Sequence, residues 1–166
     1  MDHSLFKLCL QFKTHVCTEL RRMPEPSRET LKGDYLFVID DTPLFIMLVD
    51  TNGAWSVLLK PKEHNGTLFN NQQVLPIESF DIEVDALCPY PLNKTQVNEI
   101  IENSARCQIK TDGNTLKRLL LGNLRARVAF ITQRVKISGD FPAFLKIISY
   151  LKTKGVKPNV PHNTEE

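Results

Sequence analysis

Apolar residues recur at Leu5, Cys9, Phe12, Val16 and Leu20, with Leu8 beside them. Spacing by four places them on one stripe of an amphipathic helix, with Ser4 available to cap it. Pro24 and Pro26 stop that helix, because each lacks an amide donor and turns the residue before it away from helical backbone. A short helical turn is expected over 27–31. The pattern then changes to short runs rich in aromatic and β-branched residues, 34–40 (DYLFVID), 44–50 (LFIMLVD) and 54–60 (AWSVLLK), which predict three strands. Asp41-Thr42-Pro43 and Thr51-Asn52-Gly53 separate them. Asn52-Gly53 predicts a type I′ turn, whose two central residues need positive φ, so an antiparallel meander is expected.

After the turn His64-Asn65-Gly66, Thr67-Leu68-Phe69 reads as a further short strand. Residues 79–84 form a strand candidate, and 93–103 a polar helix whose apolar edge is Val97, Ile100 and Ile101. The whole stretch 74–104 reads as an elaboration of the sheet edge or as a lid. Residues 106–110 alternate as a half-exposed strand does.

The chain is organised around 116–151, whose last helix carries more apolar residues than one buried face requires. Asp112 or Asn114 caps a helix that buries Leu116, Leu119 and Leu120, and Gly122 ends it where left-handed backbone is inexpensive. Leu124, Val128 and Ile131 predict a second buried stripe, with Arg125, Arg127 and Gln133 outward. Residues 134–138 alternate strictly, turning Val135 and Ile137 inward. Asp140 then caps a last helix with Pro142 in its first turn. Phe141, Phe144, Leu145, Ile148 and Leu151 form one stripe of that helix, and Ile147 and Tyr150 widen it. So broad a face must be deeply buried, meet a partner or cover a ligand.

At 166 residues the chain fits a single domain, read as 1–155 with a flexible tail over 156–166. Charge is unevenly spread: residues 1–105 hold 9 basic and 15 acidic side chains, and residues 106–158 hold 12 basic and 2 acidic. The basic half suits an anionic membrane surface, whereas nucleic acid is disfavoured because its aromatic residues are phenylalanines at core spacing. No run reaches the length of a membrane span, and no secretory leader or peroxisomal address is recognised, so a cytoplasmic protein with buried, reduced cysteines is expected. The four cysteines contain no C-x-x-C pair, and His3, His15, His64 and His162 lie in no catalytic or metal-binding frame. Asp40-Asp41 reads as turn chemistry. These features predict no enzyme activity, no metal and no cofactor.

The order of elements resembles the sterol carrier protein two-like domain. The likeness rests on Gly53-Ala54-Trp55-Ser56-Val57 opening a strand, Asn65-Gly66 at the next turn, Leu119-Leu120-Leu121-Gly122, Ala129-Phe130, and above all Val135-Lys136-Ile137-Ser138-Gly139-Asp140 before the last helix. The chain departs from that family in its longer 74–104 segment and in lacking an asparagine-proline turn after Gly122. The resemblance implies an α+β fold, a five-stranded, mostly antiparallel sheet with helices on one side, enclosing an apolar tunnel for a sterol or fatty acyl lipid. The tunnel is then expected to be lined by Phe45, Met47, Trp55, Val57, Leu119, Leu120, Phe130, Phe141, Phe144, Leu145 and Ile148. The function implied is non-catalytic binding and intracellular transfer of that lipid. The second reading is an interaction or dimerisation module on the same fold, with the tunnel filled and a protein partner docked through Phe144, Ile147 and Tyr150.

Overall fold

The computed structural model describes residues 3–62, 77–89 and 91–153. The expected strand at 67–69, the turn before it and the tail at 156–166 lie outside them. The first stripe folds as helix α1 (His3–Arg22), which buries Leu5, Cys9, Val16, Cys17 and Leu20. A short α2 (Glu25–Thr30) follows the proline break. The meander is present as β1 (Gly33–Ile39), β2 (Thr42–Asp50) and β3 (Gly53–Pro61).

Its turns exchange roles. The type I′-like turn lies at Asp40-Asp41, where both residues have positive φ (51° and 63°) and Ile39 pairs with Thr42. At the second hairpin Asp50 pairs with Gly53, so the two loop residues are Thr51-Asn52 and not Asn52-Gly53. The Asp50 carboxylate accepts from the Asn52 and Gly53 amides at 2.7 and 3.1 Å, a side-chain turn that needs no left-handed asparagine.

A 3-10 turn at Ile77–Ser79 leads to β4 (Phe80–Val84), and α3 (Lys94–Glu99) runs into a π-helical turn, Ile100–Ser104. Asn93 caps α3 in a reciprocal capping box with Gln96. Strand β5 (Cys107–Thr111), helices α4 (Gly113–Leu120) and α5 (Ala126–Ile131), strand β6 (Val135–Gly139) and helix α6 (Phe141–Thr153) complete the described fold.

The α+β class is as expected, and the sheet is mostly antiparallel, but it has six strands and not five, in the order β4-β3-β2-β1-β5-β6. The extra strand is β4, contributed by the long middle segment to one edge. Only β1 and β5 run parallel among these neighbours. A parallel pair requires a crossover, and the crossover from β4 to β5 carries α3. The middle segment therefore supplies both an edge strand and a cover for the face opposite α1.

The helices consequently lie on both faces, where the resemblance implied one. On the first face Tyr35, Phe37, Ile39, Phe45, Met47 and Val49 pack with α1, Leu120, Phe144 and Ile147. On the second face Leu36, Val38, Ile46, Leu48, Val57 and Leu59 pack with Phe80, Val97 and Ile100. Side chains alternate along each strand, so a strand that is apolar at every position needs cover on both sides.

Candidate functional site

The last helix is placed by a local cap and a long-range clamp. Asp140 accepts from the Ala143 amide at 3.0 Å, so the carboxylate meets the positive end of α6. Arg106 donates to the same carboxylate at 3.0 and 2.9 Å and to the carbonyls of Thr30 and Lys32. The Ala143 hydrogen bond, followed by the Arg106 contact, holds the Asp140 carboxyl below its usual range. Before it, Gly139 has φ of 92°, and a Cβ there would strike the Arg106 backbone carbonyl. The Val135–Asp140 block thus fixes where α6 leaves the sheet.

From that start α6 lays Ala143, Phe144 and Ile147 into the first-face core. Phe144 meets Phe37 edge to face at 6.1 Å, and Phe37 stacks on Phe45 at 4.4 Å. Phe12 of α1 closes on Phe37 from another side, at 6.5 Å. Of the residues expected to line a tunnel, Phe45, Met47, Leu120 and Phe144 are buried in this cluster, and Leu119, Phe130 and Ile148 are half-buried against it. Val57 lies across the sheet, and register pairs Trp55 with Leu48 of that second face. Phe141 and Leu145 are exposed. The expected lining is therefore divided among two sheet faces and the surface, and the ring of Phe37 lies between Phe45 and Phe144.

The space that opens to solvent is beside this cluster. A cleft of about 410 Å³ is lined by Met23, Pro26, Ser27, Thr30, Leu31, Lys146 and Tyr150, a volume in the range of about 300–1,000 Å³ typical of small-molecule sites. Met23 and Leu31 belong to the first-face core, so the cleft floor is the core edge. Tyr150 donates its hydroxyl to the Glu19 carbonyl at 3.3 Å, and Lys146 supplies an exposed ammonium at the rim. A smaller cleft of about 120 Å³ lies beside the π-helical turn, between Ile100, Ala105, Gln108 and Ser138.

The cleft wall depends on Arg28, which sequence reasoning did not single out. Its guanidinium is buried and donates to the carbonyls of Leu20, Arg21 and Met23 at the end of α1. It also donates to Asp50 and Thr51 at the second hairpin. Five backbone oxygens from two distant segments thus converge on one side chain. Arg28 carries no local signature, because the oxygens it bonds to are backbone atoms of residues distant in sequence.

Catalytic chemistry finds little concentrated here. Burial pushes the thiols of Cys9 and Cys17 up to about 12 and that of Cys107 up to about 11. His3 and His15 are exposed on α1, while His64 and His162 lie outside the described residues. Asp40 belongs to the hairpin and accepts from the Gly113 amide at 2.9 Å, while Asp41 lies 3.7 Å from Lys110.

A likeness to a known family falls on the segment that carries the α6 launch. Residues 92–152 match the SCP-2 sterol transfer family. The resemblance noted in the sequence is met over that segment. No curated protein matches the chain. Among solved structures, the sterol carrier protein domain 2 of Helicoverpa armigera is 10% identical, with 92% of this chain and 93% of that one covered at a TM-score of 0.45. Sterol carrier protein 2 from Yarrowia lipolytica, in its apo form, is 14% identical over 84% of this chain and 86% of that one, TM-score 0.38. The sec-alkylsulfatase Pisa1 from Pseudomonas sp. is 13% identical over 79% of this chain, TM-score 0.39, and the chain spans only 15% of its length.

Proposed function

We propose that the chain is a non-catalytic carrier that binds a hydrophobic lipid of sterol or fatty acyl type and transfers it within the cytoplasm, touching anionic membranes as it does so. The SCP-2 sterol transfer match over residues 92–152 carries this reading. The cleft supports it by opening the first-face core to solvent beside an ammonium group, a setting suited to an apolar chain with a polar head. The tail would pass under α6 along Leu119, Leu120, Phe130, Phe144 and Ile148, against Phe45 and Met47. Phe37 fills part of that path, so binding requires its ring and α6 to shift. Apolar burial contributes roughly 2.5 kcal/mol per 100 Å², enough to offset such repacking without specific polar contacts. Docking of a protein through Phe144, Ile147 and Tyr150 has less support, since Phe144 and Ile147 are core residues and Tyr150 is half-buried.

Native mass spectrometry of the purified chain, followed by titration with a fluorescent fatty acid and a fluorescent sterol, tests the proposal. Saturable uptake of either probe is expected, with a one-to-one complex. A chain that carries no lipid and takes up neither probe overturns it.

A further inference from the structure

Five large apolar side chains are exposed among the described residues, and four lie on α5 and α6: Val128 (43%), Ile131 (74%), Phe141 (38%) and Leu145 (39%). The stripe expected to bury Val128 and Ile131 therefore points outward; Ala129 is the buried residue of α5, with Phe130 half-buried beside it. Val128 and Ile131 are three residues apart and share one face of α5, and Phe141 and Leu145, four apart, share one face of α6. Phe130 meets Phe141 edge to face at 5.7 Å, which ties the end of α5 to the start of α6.

The surroundings are basic. Residues 113–153 contain eight basic side chains and one acidic one, Asp140, which is paired with Arg106 at 2.9 Å. Arg125, Arg127, Arg134 and Lys136 are all exposed. We infer that the outer faces of α5 and α6 dock on an anionic phospholipid membrane. Val128, Ile131, Phe141 and Leu145 enter the interface, and the basic side chains face the headgroups. Exposed apolar residues amid cations are the composition that binds such an interface. A second copy of the chain would bring the same positive charge against itself, and so fits the patch less well.

The helix that docks also borders the cleft. At 100° per residue, Phe141 and Leu145 lie on one shoulder of α6, and Lys146 and Tyr150 lie on the other, toward the cleft. The docked shoulder and the cleft thus lie on opposite sides of the same helix. The docking face stands on its own geometry, and only its use in lipid delivery rests on the carrier reading.

Co-sedimentation of the full chain with vesicles of phosphatidylcholine alone, or with phosphatidylserine added, tests the inference. Binding is expected only when phosphatidylserine is present. The pair Ile131→Asp and Leu145→Asp should weaken it roughly tenfold or more with little change in unfolding midpoint, because both residues are exposed. Arg125→Glu and Arg127→Glu should each weaken it by roughly fivefold or more. A wild-type chain that stays in the supernatant overturns the inference. So does salt-sensitive binding untouched by the two aspartates, which would mean that the cations act alone, as on nucleic acid. Self-association lost in the aspartate pair, with vesicle binding unchanged, also overturns it and assigns the patch to a second copy. Fluorescent fatty acid uptake measured without vesicles separates the two proposals: its failure beside intact docking sinks the carrier reading alone, and the converse sinks docking alone.

Discussion

Arg28 is 7% exposed and is bonded to carbonyl oxygens of α1 and the second hairpin. It holds the end of one helix against a turn that lies more than twenty residues later. Arg28→Met should destabilise the fold by about 2–4 kcal/mol, because several backbone acceptors lose their donor in a buried place. Urea unfolding would measure it. Arg28→Lys should recover only part of the loss, since an ammonium offers three donors where the guanidinium offers five. Asp140 contrasts with Arg28 because its capping role is short-range and was readable: an aspartate three residues before the amide it caps. Its folded-state pKa is lowered, by the Ala143 amide first and by Arg106 next. The stabilisation is therefore present above the unfolded value near pH ~4 and is lost as pH falls through the folded value. The advantage of the wild type over Asp140→Asn should be full at neutral pH and shrink in acid, as followed by thermal unfolding across pH.

Among the elements, strands and capped helices were the most legible, since their signals are local. Asp112, one of the two caps the sequence offers, caps α4 by accepting from the Thr115 amide at 2.7 Å, and Gly122 follows with φ of 80° as the sequence indicates. Helix α5 was legible as a helix but not in its orientation. Its period shows that Val128 and Ile131 share a face, yet a six-residue helix that buries a small alanine can turn that face either way. Tertiary packing buried Ala129 and left Val128 and Ile131 exposed. Gly139 is the point on which β6 and α6 both depend, for it pairs with Cys107 in the ladder and has positive φ. Gly139→Ala should cost about 3 kcal/mol or more, combining backbone strain with a clash against the Arg106 carbonyl. Chemical denaturation would show it, and faster amide exchange along α6 should accompany it.

At the scale of the whole molecule, one aromatic cluster joins α1, the sheet and α6. Phe37 touches Phe12, Phe45 and Phe144, so it closes the space through which a lipid tail would pass. Phe37→Ala should lower stability by about 3–5 kcal/mol and leave an apolar cavity. Such a cavity takes apolar guests, so the variant should bind the fluorescent fatty acid more tightly than the wild type does. Calorimetry and probe titration together check both parts. Loss of stability with weaker probe binding would place the lipid elsewhere.

The sequence by itself determined the α+β class, the three-strand meander, the cap at Asp140, a cap for α4 at Asp112 or Asn114, and the glycine that starts the final strand-to-helix passage. All of these rest on contacts within a few residues, where periodicity and capping chemistry act directly. Only the tertiary structure decided that the sheet has six strands and is covered on both faces. The unbroken apolar runs LFVI, LFIMLV and VLL were a sign of this, for a strand covered on one side alternates. Which segment supplies the second cover could not be read, because the choice of α3 depends on a crossover spanning three strands. The expected tunnel lining divided for the same reason. Apolar character shows that a side chain avoids water, while the path of the chain decides which other side chains it meets.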